Sequence, residues 1–191
     1  RIIFHAALAV GRLRTRAYLA RPRVPLWIRL LSIEAERLVH APLRRKIFGS
    51  RIQFVISGAA PLPRDVNEFF HSIGVPVLEG YGLTEASPVV SVNTFRKMRL
   101  GTVGPPLPGV EVRVSADEEI LVRGANVMKG YFRNDPATRE AIRDGWLHTG
   151  DVGRLEDGFL VITDRKKEIL KTSGGKMVAP QPLENLLKAD P

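Results

Sequence analysis

Two short apolar runs, separated by enough chain for one amphipathic helix, constrain this sequence more than any other feature. Ile52-Gln53-Phe54-Val55-Ile56 opens into Ser57-Gly58-Ala59-Ala60-Pro61-Leu62-Pro63, and Val75 to Leu78 runs into Glu79-Gly80-Tyr81-Gly82-Leu83-Thr84-Glu85. Apolar runs bounded by turn signals read as buried strands. Between them, Val66, Phe69, Phe70 and Ile73 share one face of a helix that ends at Gly74. The result is a β-α-β unit whose two strands are expected to be parallel neighbours. Both strands then deliver their loops to the same carboxyl edge, which is where open α/β sheets bind ligands.

Upstream, residues 1–20 have helical composition, and Arg21-Pro22-Arg23-Val24-Pro25 breaks that helix. A second helix is expected from Leu26, with Trp27, Leu30, Leu31, Ala35 and Leu38 forming one apolar stripe and Pro42 ending it. After Pro88 the pattern turns to short strands: Val89–Val92, Val110–Val114 and Glu119–Arg123, the last two alternating like an exposed antiparallel pair. Asn126–Tyr131 reads as a turn. Asp135-Pro136 then starts a helix running to about Arg143, with the Asp as N-cap. Strands at 147–155 and 159–163 lead into a dense charge cluster, Asp164-Arg165-Lys166-Lys167-Glu168, and then to Ser173-Gly174-Gly175. The fold class is mixed α/β, with a β-α-β layer followed by a small antiparallel β subdomain.

Composition excludes several classes. The 191 residues contain no cysteine, which removes a disulfide framework, a thiolate metal site and a cysteine nucleophile, and is compatible with a cytosolic protein. No apolar run approaches the roughly 18 residues of a spanning helix. The net charge of +9 is uneven: residues 1–51 hold 12 Lys/Arg against 2 Glu, a balance of +10, and the remainder sums to −1. A solvated helical face, or one attracted to anionic lipid or acidic acyl substrates, explains that basic segment better than a nucleic-acid site, for which it has no motif and few aromatics. The four histidines, His5, His40, His71 and His148, show no metal-ligand spacing.

The sharpest candidate for chemistry is Gly80-Tyr81-Gly82-Leu83-Thr84-Glu85. Two glycines bracket an aromatic ring, which then projects from a tight backbone with little to bury it and can stack on a base. Thr84 offers a hydroxyl to a phosphate, and Glu85 offers oxygen to Mg²⁺. A glycine-rich turn carrying a surface tyrosine is the competing reading of these six residues. Downstream, Asp151 follows a Thr-Gly pair and can accept two hydrogen bonds, as a ribose diol would offer.

Taken together, these motifs resemble the adenylate-forming enzymes, the family of acyl-CoA ligases, luciferases and peptide-synthetase adenylation domains. The resemblance rests on the Tyr-Gly-x-Thr-Glu signature at Tyr81–Glu85, on Ser57-Gly58-Ala59-Ala60-Pro61 one β-α-β crossover upstream, on Thr149-Gly150-Asp151 and on Asp164-Arg165. It covers nearly the whole chain, most securely 52–182, and is closest to bacterial long-chain fatty-acid–CoA ligases.

The resemblance implies roles. Gly58, Ala59 and Ala60 line the adenine and acyl pocket. Glu79, Gly80, Tyr81 and Gly82 lie along the nucleotide, Thr84 contacts phosphate, and Glu85 binds the metal. Asp151 holds the ribose, and Arg165 reaches ribose or phosphates. Lys167 and Lys171 sit where related synthetases place lysines near the nucleotide, although solvated charges on a hinge describe them equally well. Thr84, Glu85 and Arg165 carry the catalytic expectation, and Tyr81, Thr84, Glu85, Asp151 and the 58–60 backbone are expected to converge on one cleft.

The implied function is ATP-dependent activation of a long-chain fatty acid, first to acyl-adenylate and then to acyl-CoA, with ATP, Mg²⁺ and coenzyme A. The alternatives are another adenylating enzyme (a fatty-acyl-AMP ligase, an aryl or short-chain CoA ligase, a peptide-synthetase domain) or a non-catalytic nucleotide-binding regulator. Residues 1–163 are expected to form the C-terminal portion of a large nucleotide- and acyl-binding domain, and 164–191 a hinge and the start of a small domain. The family's phosphate loop and catalytic lysine have no match within these residues. The chain is therefore expected to be an internal piece, inactive alone and prone to self-association. A cytoplasmic location is expected, with peripheral membrane contact through the basic N-terminal helices.

Overall fold

A computed structural model of the chain describes residues 2–20, 24–166, 170–171, 177–178 and 180. They divide between two compact units, one of residues 1–57 and 62–78, the other of 58–61 and 79–191.

The first unit is mainly helical. Helix α1 (Ile2–Ala20) packs against α2 (Leu26–Ala35) and α4 (Arg64–Ser72). Gly11 is where α1 meets the end of α4: a Cβ there would lie 2.2 Å from the Ser72 carbonyl oxygen. Only a residue without a side chain permits that approach. Residues 21–23, in the expected break, lie outside the described residues. Pro42 does not end the second helix. The chain widens into a π-helical turn, Glu36–His40, with Ala41 N–H donating to Glu36 O, and continues as α3 (Ala41–Phe48) with Pro42 in its first turn. Proline brings no amide proton to a helical ladder, and a wide turn is a place that tolerates its absence.

Of the expected stripe on α2, only Ala35 is buried. Trp27, Leu30, Leu31 and Leu38 are exposed, and the buried positions are Ile28, Ser32 and Ala35. Small residues at 32 and 35 suit a close helix contact, and Ser32 Oγ satisfies itself on Ile28 O at 2.6 Å. His40 is fully buried with Nε2 3.0 Å from Ala7 O. Beyond the helices, β1 (Val55–Ser57) lies beside the first residues of β2 (Val77–Gly82), with Val55 N–H donating to Pro76 O. Both strands sit later than the sequence pattern implies, and β2 runs on through Glu79–Gly82, residues expected in a loop.

The second unit begins at Glu79. The second half of β2 pairs antiparallel with β3 (Val89–Val92), Tyr81 opposite Ser91. Between them the chain makes a 3₁₀ turn, Thr84–Ala86. A five-stranded antiparallel sheet follows, built around the eleven-residue strand β7 (Trp146–Glu156). On it pair β5 (Glu119–Gly124), itself next to β4 (Val110–Val114), together with β6 (Ile142–Arg143) and β8 (Phe159–Arg165). Ala86, Val90, Ile120, Val122, Leu147 and Leu160 form the buried core. The pair β4–β5 is thus not an exposed ribbon, because Ile120 and Val122 point into that core. Helix α5 (Asp135–Ala141) is capped by Asn134, whose Oδ1 accepts from Ala137 N–H at 3.2 Å. The cap falls one residue earlier than expected, and the helix yields to β6 at Ile142. Leu170–Lys171 and Met177–Val178 form the short antiparallel pair β9 and β10.

Candidate functional site

The site residues of the second unit are placed by two departures from regular sheet. Along β7, His148 pairs with Leu121 and Val152 with Glu119, so four steps on β7 span two on β5. Thr149-Gly150-Asp151, set against the single residue Ile120, bulges from the ladder with Gly150 at φ +72°. Bulges bend a strand and re-aim its side chains. On the other side of β7, a register shift after Val152 places Asp151 opposite Arg165, at the end of β8.

The bulge is fixed from several directions. Glu119, itself buried, accepts from Gly150 N–H through Oε1 at 2.9 Å. Its Oε2 accepts from Lys166 Nζ at 2.7 Å and lies 3.1 Å from His148 Nδ1. Lys166 N–H donates to Gly150 O at 2.8 Å, and Lys166 Nζ also reaches Asp117 Oδ2 at 2.7 Å. Thr149 Oγ1 accepts from Asp151 N–H at 3.1 Å and donates to Ile120 O at 2.8 Å. Burial pushes the Glu119 carboxyl upward, but Lys166, His148 and the Gly150 N–H together hold it below its ordinary range. The Asp117 carboxyl, bonded to Lys166 and Ser115, is drawn down to about 2.

Asp151, only 6% exposed, then meets two partners. Tyr81 Oη donates to its Oδ2 at 2.6 Å, and Arg165 Nε lies 3.1 Å from Oδ1. Tyr81 is therefore not a bare ring on a loop. It lies within β2, packs against the core cluster and bonds through its hydroxyl. Burial raises its phenol well above the ordinary range, and the Asp151 charge and hydrogen bond add to the shift. The small-residue loop comes to the same strand: a Cβ on Gly58 would lie 3.5 Å from Gly80 O. Ala59 takes the left-handed conformation at φ +67°, and Ala60 is exposed. A carboxylate with fixed donors on both oxygens, beside a glycine-lined backbone, can accept hydroxyl hydrogen bonds from a diol through its remaining lone pairs.

Glu85 belongs to a second group. Ala86, in the core, anchors its turn, and its carbonyl accepts from Met128 N–H at 2.7 Å. Its Oε1 accepts from Tyr131 Oη at 2.8 Å. Thr84 is exposed, and Glu79 is buried with its carbonyl accepting from Asn93 N–H. Gly82 is pressed against the far side of the hairpin, with a Cβ there only 1.8 Å from Pro88 O. Among the described residues no cluster of three or more His, Asp or Glu is fit to hold a metal ion. A single half-buried carboxylate is still compatible with Mg²⁺, which keeps several waters and takes one or two carboxylates plus substrate phosphates.

Of the expected site residues, the structure joins Tyr81, Asp151 and Arg165 directly and brings Gly58 to Gly80. Lys167 lies outside the described residues, and of Lys171 only the backbone position in β9 is described. The lysine that meets the bulge is Lys166, one residue from the one singled out in the sequence. Tyr131, Asn126, Glu119 and Thr149 were also missed; Glu119 and Lys166 are charges in strand and cluster positions that sequence alone cannot pair. Asp164, at the expected hinge, is buried. Its Oδ1 accepts from Arg165 N–H at 2.7 Å, and its Oδ2 meets no hydrogen-bond partner among the described residues.

Residues 9–132 match the protein family described as AMP-binding enzyme. The chain belongs to that family. It is 48% identical over 157 residues to the long-chain-fatty-acid–CoA ligase FadD15 of Mycobacterium tuberculosis, covering 82% of this chain and 26% of that protein. Against long chain acyl-CoA synthetase 4 of Arabidopsis thaliana the identity is 38% over 167 residues, covering 79% of this chain and 25% of the relative. The chain thus spans about a quarter of the length of these curated relatives. Among solved structures it is similar to ATP-bound MatB from Rhodopseudomonas palustris, with TM-score 0.65, 38% identity, and coverage of 71% of this chain and 30% of that one. It is also similar to O-succinylbenzoate coenzyme A synthetase from Bacillus subtilis in complex with ATP and magnesium ion. There the TM-score is 0.66 and the identity 29%, over 88% of this chain and 40% of that one. The mixed α/β fold described above is therefore that of an AMP-binding enzyme.

Proposed function

We propose that this chain is the nucleotide-facing part of an AMP-forming long-chain fatty-acid–CoA ligase. The observation that carries the reading is the Tyr81–Asp151–Arg165 group, a carboxylate oriented from both sides beside the Gly58–Gly80 backbone. The long-chain substrate is supported by the names of the relatives at 38–48% identity.

In this reading a fatty-acid carboxylate oxygen attacks the α-phosphorus of ATP, a P–O bond breaks, and pyrophosphate leaves. The coenzyme A thiol then loses its proton and its sulfur attacks the acyl carbonyl, and AMP departs with its phosphate. No protein nucleophile is needed, and catalysis comes from positioning and from charge stabilisation. Asp151 accepts the ribose hydroxyls, with Tyr81 and Arg165 fixing its two oxygens. Gly58, Ala59, Ala60, Glu79, Gly80 and Gly82 line the nucleotide path, and Thr84 donates to phosphate. Arg165, largely exposed, faces ribose or phosphate, and Lys167 and Lys171 are assigned to the nucleotide by the family resemblance alone. Glu85 would hold Mg²⁺, which when bound neutralises phosphate charge.

The domain division belongs to the same proposal: 1–163 in the large domain, and 164–191 as hinge and start of the small one. Asp164 Oδ2, which meets no hydrogen-bond partner among the described residues, suits a joint whose partners change. No helix among the described residues is long and apolar enough to cross a membrane. We place the protein in the cytoplasm, with the exposed Trp27, Leu30 and Leu31 and the arginines of α1–α3 making peripheral contact with membrane or with a second copy. ATP–pyrophosphate exchange, measured on a polypeptide of the relatives' full length containing this chain and across acids of varied length, tests the reading. Exchange that depends on a long-chain acid supports it, and none with any acid overturns it.

A further inference from the structure

The segment between β5 and α5 grips the turn that carries Glu85 at three points. Asn126 Nδ2 donates to Ala86 O at 3.0 Å and to Val89 O at 3.2 Å. Met128 N–H donates to Glu85 O at 2.7 Å, and Tyr131 Oη donates to Glu85 Oε1 at 2.8 Å. Tyr131 is itself tied down: its N–H donates to Thr138 Oγ1 at 2.9 Å, and that hydroxyl donates to Asn134 O at 2.9 Å. Gly130 makes the tie close, since a Cβ there would lie 2.8 Å from Thr138 Cγ2. A chain of contacts therefore runs from the first turn of α5, through Tyr131, to one oxygen of one carboxylate.

A carboxylate on an exposed turn ordinarily samples several rotamers, and a cation that needs it in one orientation must bear the ordering. The backbone grips at Asn126 and Met128 fix where Glu85 starts, and the phenol fixes where its carboxylate ends. We propose that Tyr131 is a positioning residue that pre-orients the Glu85 carboxylate for a divalent cation accompanying the nucleotide phosphates, with α5 as its rigid support. The inference rests on the reading of Glu85 as the metal-facing carboxylate. Removing the phenol leaves that carboxylate in place but free to turn, so it weakens cation binding without abolishing it.

The test uses a full-length polypeptide containing this chain, with Mn²⁺ binding followed by electron paramagnetic resonance in the presence of a non-hydrolysable ATP analogue. Tyr131→Phe is expected to raise the Mn²⁺ dissociation constant about three- to tenfold, as for loss of one exposed hydrogen bond of ordinary net strength. Glu85→Gln raises it at least as much, and the double variant binds no worse than Glu85→Gln alone. The Mg²⁺ concentration that gives half-maximal turnover rises by a similar factor in Tyr131→Phe. If Glu85→Gln weakens Mn²⁺ and Tyr131→Phe does not, the positioning role is overturned and the role of Glu85 stands. If Glu85→Gln leaves Mn²⁺ binding unchanged, both fall. Additive losses in the double variant also overturn the proposal, since Tyr131 would then act by another route. Should Tyr131→Phe melt early, Thr138→Val, which removes the hydroxyl that anchors the Tyr131 backbone, provides the same comparison.

Discussion

The Tyr81 hydroxyl donates a 2.6 Å hydrogen bond to Asp151 Oδ2, joining residues seventy positions apart in sequence. Tyr81 stands in β2 and Asp151 in the bulge of β7, so the bond ties the glycine hairpin to the five-stranded sheet. Replacing Tyr81 by Phe keeps the ring and strips a buried carboxylate of one donor. The expected loss of stability is about 1.5–3 kcal/mol, typical of a hydrogen bond to a charged group. The pH dependence has a defined sign. The phenol is raised above its ordinary value of 10.0, so the folded state favours the neutral form more than the unfolded chain does. That stabilisation is complete below pH 10 and is lost progressively as pH rises above it. Chemical denaturation at pH 7 and at alkaline pH, with and without Tyr81→Phe, checks this: the alkaline fall should be smaller in the variant.

The glycines in and beside this hairpin are not equivalent. A Cβ on Gly82 would sit 1.8 Å from Pro88 O, whereas one on Gly58 would meet only Gly80 O at 3.5 Å. Pro88 O already accepts from Leu83 N–H at 2.8 Å, so it cannot retreat without opening the turn that carries Thr84 and Glu85. Gly82→Ala is expected to cost about 1–3 kcal/mol as an overpacking change, seen as a fall in melting temperature of roughly 4–10 °C. Gly58→Ala should melt within about 0.5 kcal/mol of the unaltered protein. Equal effects in the two variants would contradict the hairpin geometry.

Much of this was legible in the sequence, and the physical reason differs by element. Apolar runs bounded by Gly, Pro and Asp located β3, β4, β5, β7 and β8, because strand burial and turn chemistry are local properties. The paired Tyr81 and Asp151 were recognised as site candidates through short motifs, yet their bond was not, since nothing local encodes a contact between β2 and β7. The same holds for Glu119 and Lys166, whose neighbours are set by sheet register, and for Tyr131, whose partners Glu85 and Thr138 lie in a separate turn and helix. On α2 the apolar pattern misled for its larger residues: Trp27, Leu30 and Leu31 face out, and Ile28 and Ser32 join Ala35 on the inward face. Helix packing there selected small residues for close approach rather than the most apolar face. Pro42 misled because it follows a π turn and sits in the first turn of α3, a position where a helix tolerates a missing amide proton.

Glu119 supports the Gly150 bulge through three partners, Gly150 N–H, Lys166 and His148. Its carboxyl is held below the ordinary value of 4.5, against the upward push of burial. A depressed carboxylate stabilises the fold above its unfolded-state value and loses that contribution as pH falls through its folded-state value. Stability should therefore decline below pH 4.5 in the unaltered protein and decline less in Glu119→Gln. At pH 7 the variant should be less stable by about 1–3 kcal/mol, because Lys166 loses a buried partner. Acid titration followed by circular dichroism compares the two directly, and identical acid profiles would remove Glu119 from this role.

Asp151 accepts from Tyr81 on Oδ2 and faces Arg165 Nε from Oδ1, with the backbone of its bulge clamped by Glu119 and Lys166. Each carboxylate oxygen retains a lone pair beyond the one engaged, so the group can still accept from two vicinal hydroxyls. Asp151→Asn keeps the shape, but replaces one acceptor oxygen by an NH₂ that donates where a ribose hydroxyl also donates. It further leaves Arg165 facing a neutral amide. Nucleotide affinity in a full-length polypeptide containing this chain should fall at least tenfold, the equivalent of about 1.4 kcal/mol. The sharper expectation concerns discrimination. The unaltered protein should bind ATP more tightly than 3′-deoxy-ATP, and Asp151→Asn should bind the two nearly alike, because the hydroxyl that distinguishes them has lost its acceptor. Calorimetric titration of both nucleotides against both proteins measures the four affinities. A variant that still prefers ATP by the original factor would show that Asp151 does not receive the ribose.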